Sequence, residues 1–180
     1  MLKPVVLFCS QCGASVEHAV PPGDNRLRDI CNHCGKIHYQ NPRIVVGTLP
    51  VYRNKILLCK RAIEPRKGYW TLPGGFMELD ETLEQAATRE TMEEAMADVQ
   101  LQSLYTVFNV LSAGQVSIFF LATMDAPEFF PGEESEEVHL FSEESIPWSE
   151  LAFSTITETL KYFFEDRKSG DYPLHMDTAL

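Results

Sequence analysis

Gly75–Glu94 reads G-F-M-E-L-D-E-T-L-E-Q-A-A-T-R-E-T-M-E-E, and the spacing within this stretch decides the fold of the chain. From Leu83 onward it predicts a helix, because at about 100° per residue the apolar and acidic side chains share one narrow stripe. The stripe consists of Leu83, Ala87, Glu90 and Glu94, with Ala86 and Glu93 along its edge. It begins as an ordinary core-facing surface and becomes acidic halfway along the helix.

Ionised carboxylates on a core-facing stripe need a partner, because removing a charged group from water is costly. Bound divalent cations would supply that partner, and Mg²⁺ favours oxygen ligands, keeps several waters and suits phosphate chemistry. The preceding pair Gly74-Gly75 lets the backbone approach a ligand closely, since glycine has no Cβ. The alternative is a solvated helix with surface ion pairs, such as Arg89 with Glu93 at i, i+4. The alignment of acids with the apolar stripe favours the metal site.

The stretch resembles the Nudix box, in which a glycine and a glutamate precede R-E-U-x-E-E-x-G-U, with U a bulky aliphatic residue. The positions that match in type and spacing are Gly75, Glu81, Arg89, Glu90, Glu93 and Glu94. Thr91 and Ala97 stand where aliphatics are usual, and Met96 replaces the final glycine. Because that glycine normally ends the helix in a left-handed conformation, we expect the helix exit to shift by a residue or two.

Composition fits one ordinary domain, with or without a small appendage. The 180 residues are 44% hydrophobic, which is ample for a core and argues against disorder. No apolar run approaches a membrane span, and Pro4–Phe8 is too short for a signal peptide, so we expect a cytoplasmic protein without membrane partners. The formal charge of −11 argues against a nucleic-acid surface, which needs clustered Lys and Arg. Bound cations would remove the same objection to a phosphate-bearing substrate.

Four of the five cysteines form two C-x-x-C pairs with zinc-site spacing, namely Cys9, Cys12, Cys31 and Cys34. Four thiolates complete a tetrahedral zinc shell with no open position, so we expect a structural Zn²⁺. Gly13 and Gly35 follow the pairs and allow backbone N–H groups to point at the thiolates. Two disulfides or free thiols are the alternative, and a cytosolic setting disfavours disulfides. A complete Cys₄ set leaves no vacancy for the nearby histidines His18, His33 and His38.

Turn and strand patterns predict two domains, a zinc ribbon over residues 1–38 and a catalytic domain over residues 39–180. The strands expected in the second domain are Arg43–Tyr52, Lys55–Arg61, Leu101–Leu111, Gln115–Met124 and Val138–Phe141. A second helix is expected over Ser154–Asp166, and we expect the tail after Gly170 to be mobile. Strands of mixed direction with a helix on either side predict an α/β sandwich, and the resemblance to the Nudix family implies its α/β/α sandwich with a mixed sheet.

The resemblance extends beyond the box. A Cys₄ ribbon joined to a Nudix domain is similar to the NADH pyrophosphatases, but the Q-P-W-P-F-P motif of that group is missing from Tyr105–Gly114. The chain resembles more closely the group typified by the plant chloroplast FAD/ADP-ribose pyrophosphatase. The segments that carry this likeness are Cys31–Lys36, Tyr39–Pro42, Leu57–Arg61, Trp70–Pro73 and Leu151–Ser154. A plant member would need a transit peptide, and since none is evident we expect a bacterial source or a processed form.

This resemblance implies hydrolysis of the pyrophosphate bond of a nucleoside diphosphate derivative, with FAD or ADP-ribose ahead of NADH. The expected cofactors are Mg²⁺ (or Mn²⁺) at the box and a structural Zn²⁺ in the ribbon. The resemblance also implies that Glu90 and Glu94 are the principal metal ligands, that Glu93 assists them, and that the Gly74 carbonyl is a further ligand. Arg89 would orient Glu93 or Glu90 through its guanidinium fork.

Residues outside the box complete the expected site. Glu81 would brace the loop, and Glu134 or Glu137 would supply an additional ligand or base, unless their acidic loop is merely solvated. Arg61 would hold a phosphate. Trp70 would stack on a base, although packing in the core is an equal alternative for a tryptophan.

Two rival functions differ in class. In one, the Nudix half senses a nucleotide without cutting it, although a sensor has no need of three glutamates. In the other, the ribbon binds nucleic acid, but Lys3, Arg26, Arg28 and Lys36 make only a thin basic set. The expected partner is therefore a small-molecule nucleotide, and a homodimer is an open alternative to a monomer.

Overall fold

The structure is a computed structural model that describes residues 6–179. Lys3, and Pro4 and Val5 of the Pro4–Phe8 run, lie outside the described residues. The chain forms two compact units that divide after Pro42, whereas the limits drawn from the sequence, 1–38 and 39–180, stay a prediction. Within the described part of the chain, no helix is long and apolar enough to cross a membrane.

The first unit contains a small antiparallel sheet of β1 (Val16–Ala19), β2 (Arg28–Cys31) and β3 (Ile37–His38), in that order. Each cysteine pair sits in a tight turn that a glycine closes. Gly13 and Gly35 have φ of 73° and 72°, and their N–H groups donate to the carbonyls of Cys9 and Cys31. These left-handed positions suit glycine because other residues pay a steric penalty there.

The second unit is built on a mixed eight-stranded sheet with the order β10-β5-β4-β9-β8-β11, to which β6 adds on β5 and β7 on β4. Its strands are β4 (Arg43–Tyr52), β5 (Lys55–Arg61), β6 (Trp70–Thr71), β7 (Gly74–Phe76), β8 (Gln100–Val110), β9 (Gln115–Thr123), β10 (Ser135–Phe141) and β11 (His175–Ala179). The central pair β4–β9 is parallel, and β8–β9 and β4–β5 are antiparallel.

Two helices, α1 (Leu83–Ala95) and α2 (Ser154–Ser169), cover opposite faces of this sheet. Successive side chains of a strand point to opposite faces, and β9 shows this alternation directly. Phe119 packs in the cluster that contains α2, whereas Ile118 and Phe120 pack in the cluster that contains Ala86 and Ala87 of α1. The predicted α/β/α sandwich with a mixed sheet is thus confirmed.

Thr82 fixes where α1 begins. Its hydroxyl accepts a hydrogen bond from the Gln85 N–H at 3.2 Å, and the Gln85 side chain accepts from the Thr82 N–H at 2.8 Å. This reciprocal capping box satisfies two N–H groups that a helix start otherwise leaves unpaired. The N-cap of α1 is therefore set seven residues after Gly75, and the helix begins at Leu83, one residue later.

The expected displacement of the helix exit is wrong. α1 ends at Ala95, and Met96 itself takes the left-handed conformation, with φ 46° and ψ 34°. Its N–H donates to the Met92 carbonyl at 2.9 Å, as a glycine at this position would. The side chain of Met96 is half exposed, so nothing packed around it forces the helix to continue.

The expectation of a mobile tail is also wrong. β11 pairs in parallel with Thr106–Val110 of β8 and extends the sheet. His175 anchors it, because its Nε2 lies 2.7 Å from Asp166 Oδ2 and its ring stacks on Tyr162 at 4.0 Å. Asp166 also accepts a hydrogen bond from the buried Tyr105 hydroxyl at 2.7 Å. Contacts with α2 and β8 therefore order a segment that shows no clear strand pattern by itself.

Candidate active site

The glycines of β7 bring the backbone directly against the acidic stripe of α1. A Cβ placed on Gly75 would lie 2.5 Å from Glu90 Oε2, and a Cβ on Gly47 of β4 would lie 2.2 Å from the Pro73 carbonyl oxygen. The Gly74 N–H donates to Glu94 Oε2 at 3.0 Å. A side chain at Gly75 would therefore displace the Glu90 carboxylate, and a side chain at Gly47 would displace the loop at Pro73.

Glu90 and Glu94 are both buried, with Glu94 only 6% exposed. Burial raises the pKa of each carboxyl group, to about 7 for Glu94, because desolvation penalises the charged form. The Gly74 N–H opposes this shift, and the neighbouring charges of Glu90 and Glu134 add to it. The pair thus carries a desolvation cost that a bound cation would offset.

Arg89 connects the carboxylates of the box through a single guanidinium. Its Nε and Nη2 donate to both oxygens of Glu81 at 3.0 and 2.9 Å, and its Nη1 donates to Glu90 at 2.8 Å and to Glu93 at 2.9 Å. Nη2 also donates to the Phe76 carbonyl at 3.2 Å. The side chain therefore fixes β7, the loop after it and two box acids in one arrangement.

Glu81 holds the loop between β7 and α1. Besides the Arg89 fork, it accepts a hydrogen bond from the Glu78 N–H at 2.6 Å. The Arg89 hydrogen bonds lower the pKa of Glu81 to about 2, and the Glu78 N–H adds to this shift. The geometry agrees with the bracing role expected from the sequence.

The acidic loop before β10 lies along the C-terminal end of α1. Gly132 makes this approach, since a Cβ there would lie 1.7 Å from the Glu93 carbonyl oxygen, and its N–H donates to the Glu94 carbonyl at 3.1 Å. Glu134 follows, and its charge raises the pKa of both Glu90 and Glu94. The loop thus delivers one more carboxylate to the buried pair.

Glu137 is placed differently from Glu134. Its carboxylate binds Lys60 Nζ at 2.7 Å and contacts His139 Nε2 at 3.2 Å. The Lys60 hydrogen bond lowers the pKa of Glu137. Of the two loop acids between which the sequence could not decide, the geometry places Glu134 beside the box.

Arg61 and Trp70, the two residues expected to contact the substrate, lie in different environments. Arg61, at the end of β5, interacts electrostatically with Glu94 and is therefore near the box. Trp70 is only 7% exposed and packs edge-on against Phe141 at 4.9 Å, within the core cluster under α2. Its ring faces are covered, so this geometry supports the packing alternative for Trp70 and not the stacking on a base.

The four ribbon cysteines converge on one point. Their sulfur atoms lie within 4.8 Å of one another, with Cys9 to Cys34 at 3.7 Å and Cys12 to Cys31 at 3.4 Å. Zinc–sulfur bonds of about 2.3 Å in a tetrahedron place sulfurs about 3.8 Å apart, so the set fits Zn²⁺. The thiols are free rather than paired in disulfides.

Backbone N–H groups prepare one of these thiols for metal binding. The Cys34 and His33 N–H groups each donate to Cys31 Sγ at 3.4 Å. These two N–H groups, with smaller contributions from the Cys12 and Cys34 thiols, lower the pKa of Cys31 to about 6, although its burial opposes the shift. A thiolate is the form that binds zinc, so this turn geometry favours the metal-bound state.

Among the described residues, the cysteines are the group whose potential ligand atoms lie close enough together to hold one ion. The two buried box acids have other partners, since Glu90 accepts a hydrogen bond from Arg89 and Glu94 accepts one from the Gly74 N–H. Their donor chemistry still fits Mg²⁺ or Mn²⁺, which take carboxylate and carbonyl oxygens. Among the box acids, the buried carboxylates of Glu90 and Glu94 would be stabilised most by such an ion.

Sequence reasoning missed two residues that shape this site. Gly132 sets the distance between the acidic loop and α1, and Gly47 admits the β7 loop beside β4. A Pro-Gly dipeptide such as Pro131-Gly132 is a turn signal, but nothing in the sequence indicates which helix that turn contacts. Gly47 interrupts a strand pattern, and such a glycine indicates a close backbone approach.

A mixed sheet between two helices, a buried carboxylate pair beside a glycine loop and a separate Cys₄ ribbon together define the class of α/β/α sandwich proteins with an added zinc ribbon. The chain belongs to the Nudix hydrolase family. A family profile described as the NUDIX domain matches residues 41–167, and a profile described as Nudix N-terminal, a zinc ribbon, matches residues 7–40. The protein is thus a Nudix-type pyrophosphatase, as the sequence resemblance predicted.

Three known proteins illustrate the likeness. A NUDIX hydrolase from Nitrosomonas europaea is 49% identical, with a TM-score of 0.93 over 97% of this chain and 99% of that one. An ADP-ribose pyrophosphatase from Methanocaldococcus jannaschii is 34% identical over 119 residues, which cover 64% of this chain and 69% of the relative. The NAD-capped RNA hydrolase NudC of Salmonella heidelberg is 37% identical over 90 residues, 49% of this chain and 32% of its own length.

Proposed function

We propose that this protein hydrolyses the pyrophosphate bond of a nucleoside diphosphate derivative, ADP-ribose or FAD, in a reaction that depends on Mg²⁺ or Mn²⁺. The observation that carries the proposal is the buried Glu90–Glu94 pair against Gly74 and Gly75, which a cation and a phosphate would complete. The relative named ADP-ribose pyrophosphatase supports the substrate class. FAD rests on the segments that resemble the FAD/ADP-ribose pyrophosphatases.

In the proposed site, Glu90 and Glu94 would hold the divalent cations with the Gly74 carbonyl, and Glu93 would assist. Such cations supply water activation and neutralise charge on the phosphoryl oxygens. Arg89 keeps Glu90 and Glu93 in place through its hydrogen bonds at 2.8 and 2.9 Å. Because one guanidinium holds both acids, loss of its fork geometry would disturb both.

Glu134 and Arg61 have complementary roles in the proposal. Hydrolysis joins a water oxygen to one phosphorus and breaks the bridging P–O bond, so that the second phosphate leaves. Glu134 accepts the proton of the attacking water, since its carboxylate faces the buried pair without an ion-pair partner among the described residues. Arg61 binds a phosphate oxygen.

We propose a small-molecule nucleotide rather than capped RNA as the substrate, and a cytoplasmic location. The name of the NudC relative raises RNA as an alternative, but that relative is about three times longer than the aligned segment. The net charge is −11, and Arg28 of the ribbon is already bound to Asp24 at 2.8 Å. Both features disfavour the binding of a polyanion such as RNA.

A substrate panel tests the proposal. The protein is incubated with Mg²⁺ and, separately, with ADP-ribose, FAD, NADH, a nucleoside triphosphate and an NAD-capped RNA, and the products are separated by anion-exchange chromatography. We expect AMP with ribose 5-phosphate from ADP-ribose, or AMP with FMN from FAD, at higher rates than cleavage of NADH. Preferred cleavage of a nucleoside triphosphate to pyrophosphate would contradict the substrate class. Tight binding without turnover would favour the nucleotide-sensing alternative.

A further inference from the structure

We propose that Arg66 is a specificity-determining residue that binds the substrate phosphate farther from the box carboxylates. Arg66 lies in the segment 62–68 between β5 and β6, here called the rim loop. The inference rests on the proposed function and extends it to a residue outside the Nudix box and outside the segments that resemble the FAD/ADP-ribose pyrophosphatases. It predicts that the enzyme recognises both phosphates of a diphosphate.

Internal hydrogen bonds make the rim loop compact. The Gly68 N–H donates to the Arg61 carbonyl at 2.8 Å, and the Arg61 N–H donates to the Tyr69 carbonyl at 2.9 Å, which closes the neck of the loop. Arg61 Nε also donates to the Pro65 carbonyl at 2.8 Å. A loop braced in this way presents its side chains from a defined backbone, as a binding site requires.

The rim loop contacts the acidic loop that carries Glu134 and Glu136. The Ala62 N–H donates to the Glu134 carbonyl at 2.8 Å, and Lys67 Nζ lies 3.9 Å from Glu136 Oε1. The neck residue Arg61 interacts electrostatically with Glu94. The start of the rim loop is therefore hydrogen-bonded to the loop that carries Glu134, and its neck residue Arg61 lies within electrostatic reach of Glu94.

The charges of this region leave two guanidinium groups for a ligand. Lys60 pairs with Glu137 and Lys67 pairs with Glu136, whereas neither Arg61 nor Arg66 forms an ion pair with a carboxylate of the described residues. A pyrophosphate bears negative charge on both phosphates, and cations at the box would neutralise the nearer one. In a chain of net charge −11, the farther phosphate needs such unpaired groups.

The geometry of Arg66 suits a phosphate. Its guanidinium lies over the Tyr69 ring at 5.3 Å, which supports the plane of the group while its N–H donors at the edge stay available. A planar fork of N–H donors matches two oxygens of one phosphate. Arg61, whose Nε is taken by Pro65, would bind the same diphosphate from the neck of the loop.

Arg53 provides a matched control for Arg66. Both arginines are exposed, have positive φ (55° and 64°) and lie over a neighbouring tyrosine ring, which is Tyr52 at 5.1 Å for Arg53. Arg53 lies in the turn at the opposite end of β5, about 20 Å away along the strand. Arg53→Ala therefore removes the same charge and the same stacking contact away from the site.

The first experiment compares steady-state kinetics of ADP-ribose hydrolysis with saturating Mg²⁺. We expect Arg66→Ala to raise KM about tenfold with kcat changed less than about threefold, Arg66→Lys to recover part of the loss, and Arg53→Ala to match the wild type. A fall in kcat alone, or equal effects of Arg66→Ala and Arg53→Ala, would overturn the proposal. Thermal unfolding of the three variants checks that each of them folds.

A second experiment separates this inference from the proposed catalysis. The α,β-methylene analogue of ADP carries both phosphates but has no bridging oxygen to cleave, so calorimetric titration measures binding without turnover. We expect Arg66→Ala to weaken binding of the analogue about tenfold and to leave binding of AMP, which has one phosphate, within about threefold. Equal affinity of wild type and Arg66→Ala for the analogue would overturn the role of Arg66 even if ADP-ribose is hydrolysed.

Discussion

The buried carboxylate of Glu94 makes the metal-free protein less stable than it could be, and Glu94→Gln should reveal by how much. Burial raises the Glu94 pKa from the ordinary 4.5 to about 7. Each pKa unit corresponds to about 1.4 kcal/mol, so the ionised side chain costs at most about 3 kcal/mol above neutral pH. Glutamine keeps the shape and can still accept the Gly74 N–H, but it has no charge to desolvate.

The pH dependence follows from the direction of this shift. Because the folded-state pKa lies above the unfolded-state value, the folded protein binds more protons between about pH 4.5 and 7, and its stability falls as the pH rises through this range. Glutamine does not titrate. The advantage of Glu94→Gln should therefore be absent below pH 4.5, grow through this window and be complete above pH 7.

Urea unfolding at pH 5 and pH 8 in metal-depleted buffer measures this effect. Trp70 and Trp148, the two tryptophans of the chain, both lie in the second unit, so their fluorescence reports that unit and not the ribbon. We expect the free energy of unfolding of Glu94→Gln to exceed that of the wild type by about 2–3 kcal/mol at pH 8 and by much less at pH 5. We also expect added Mg²⁺ to stabilise the wild type but not the variant.

Glu84→Gln is the control on the same helix. Glu84 is exposed in the first turn of α1, where its own N–H and the Thr82 hydroxyl lower its pKa. Loss of this charge should change stability slightly and in the opposite direction. If Glu94→Gln were less stable than the wild type at pH 8 without metal, the burial reasoning would be refuted.

Three further perturbations test other parts of the structure. Cys31→Ser should abolish binding of about one zinc per chain and unfold the ribbon, and elemental analysis showing no zinc in wild-type protein would contradict this. Met96→Gly should raise the free energy of unfolding by up to about 1 kcal/mol by relieving a left-handed methionine, whereas Met92→Gly within the same helix should lower it by about as much. Glu134→Gln should lower kcat more than it raises KM, while Glu137→Gln should do neither; equal small effects would mean that the loop is merely solvated.

Local sequence patterns were sufficient to predict the fold and the residues at the centre of the site. The helical period placed Glu90 and Glu94 on the buried face of α1, and the structure finds both buried. The C-x-x-C spacing placed four thiols around one point, as their sulfur distances show. These features succeed because they depend on residues close in sequence, whose geometry the helix or the tight turn fixes.

Features that depend on distant partners could not be predicted. β11 forms because β8, about 70 residues earlier, offers an open edge and because Asp166 and Tyr162 hold His175. Trp70 lies in the core because Phe141 and the α2 cluster cover it, whereas its position near the box suggested a ligand. In both cases the deciding contact is tertiary, and the local sequence allows either outcome.

In the proposed function, the buried box carboxylates drive cleavage of a pyrophosphate bond. The most direct test measures AMP and ribose 5-phosphate released from ADP-ribose at saturating Mg²⁺ by the wild type, Glu94→Gln and Glu84→Gln, side by side. We expect the wild type and Glu84→Gln to form both products at similar rates, and Glu94→Gln, although folded, to be slower by about 100-fold or more. Similar rates for Glu94→Gln and Glu84→Gln would contradict this role of the box carboxylates.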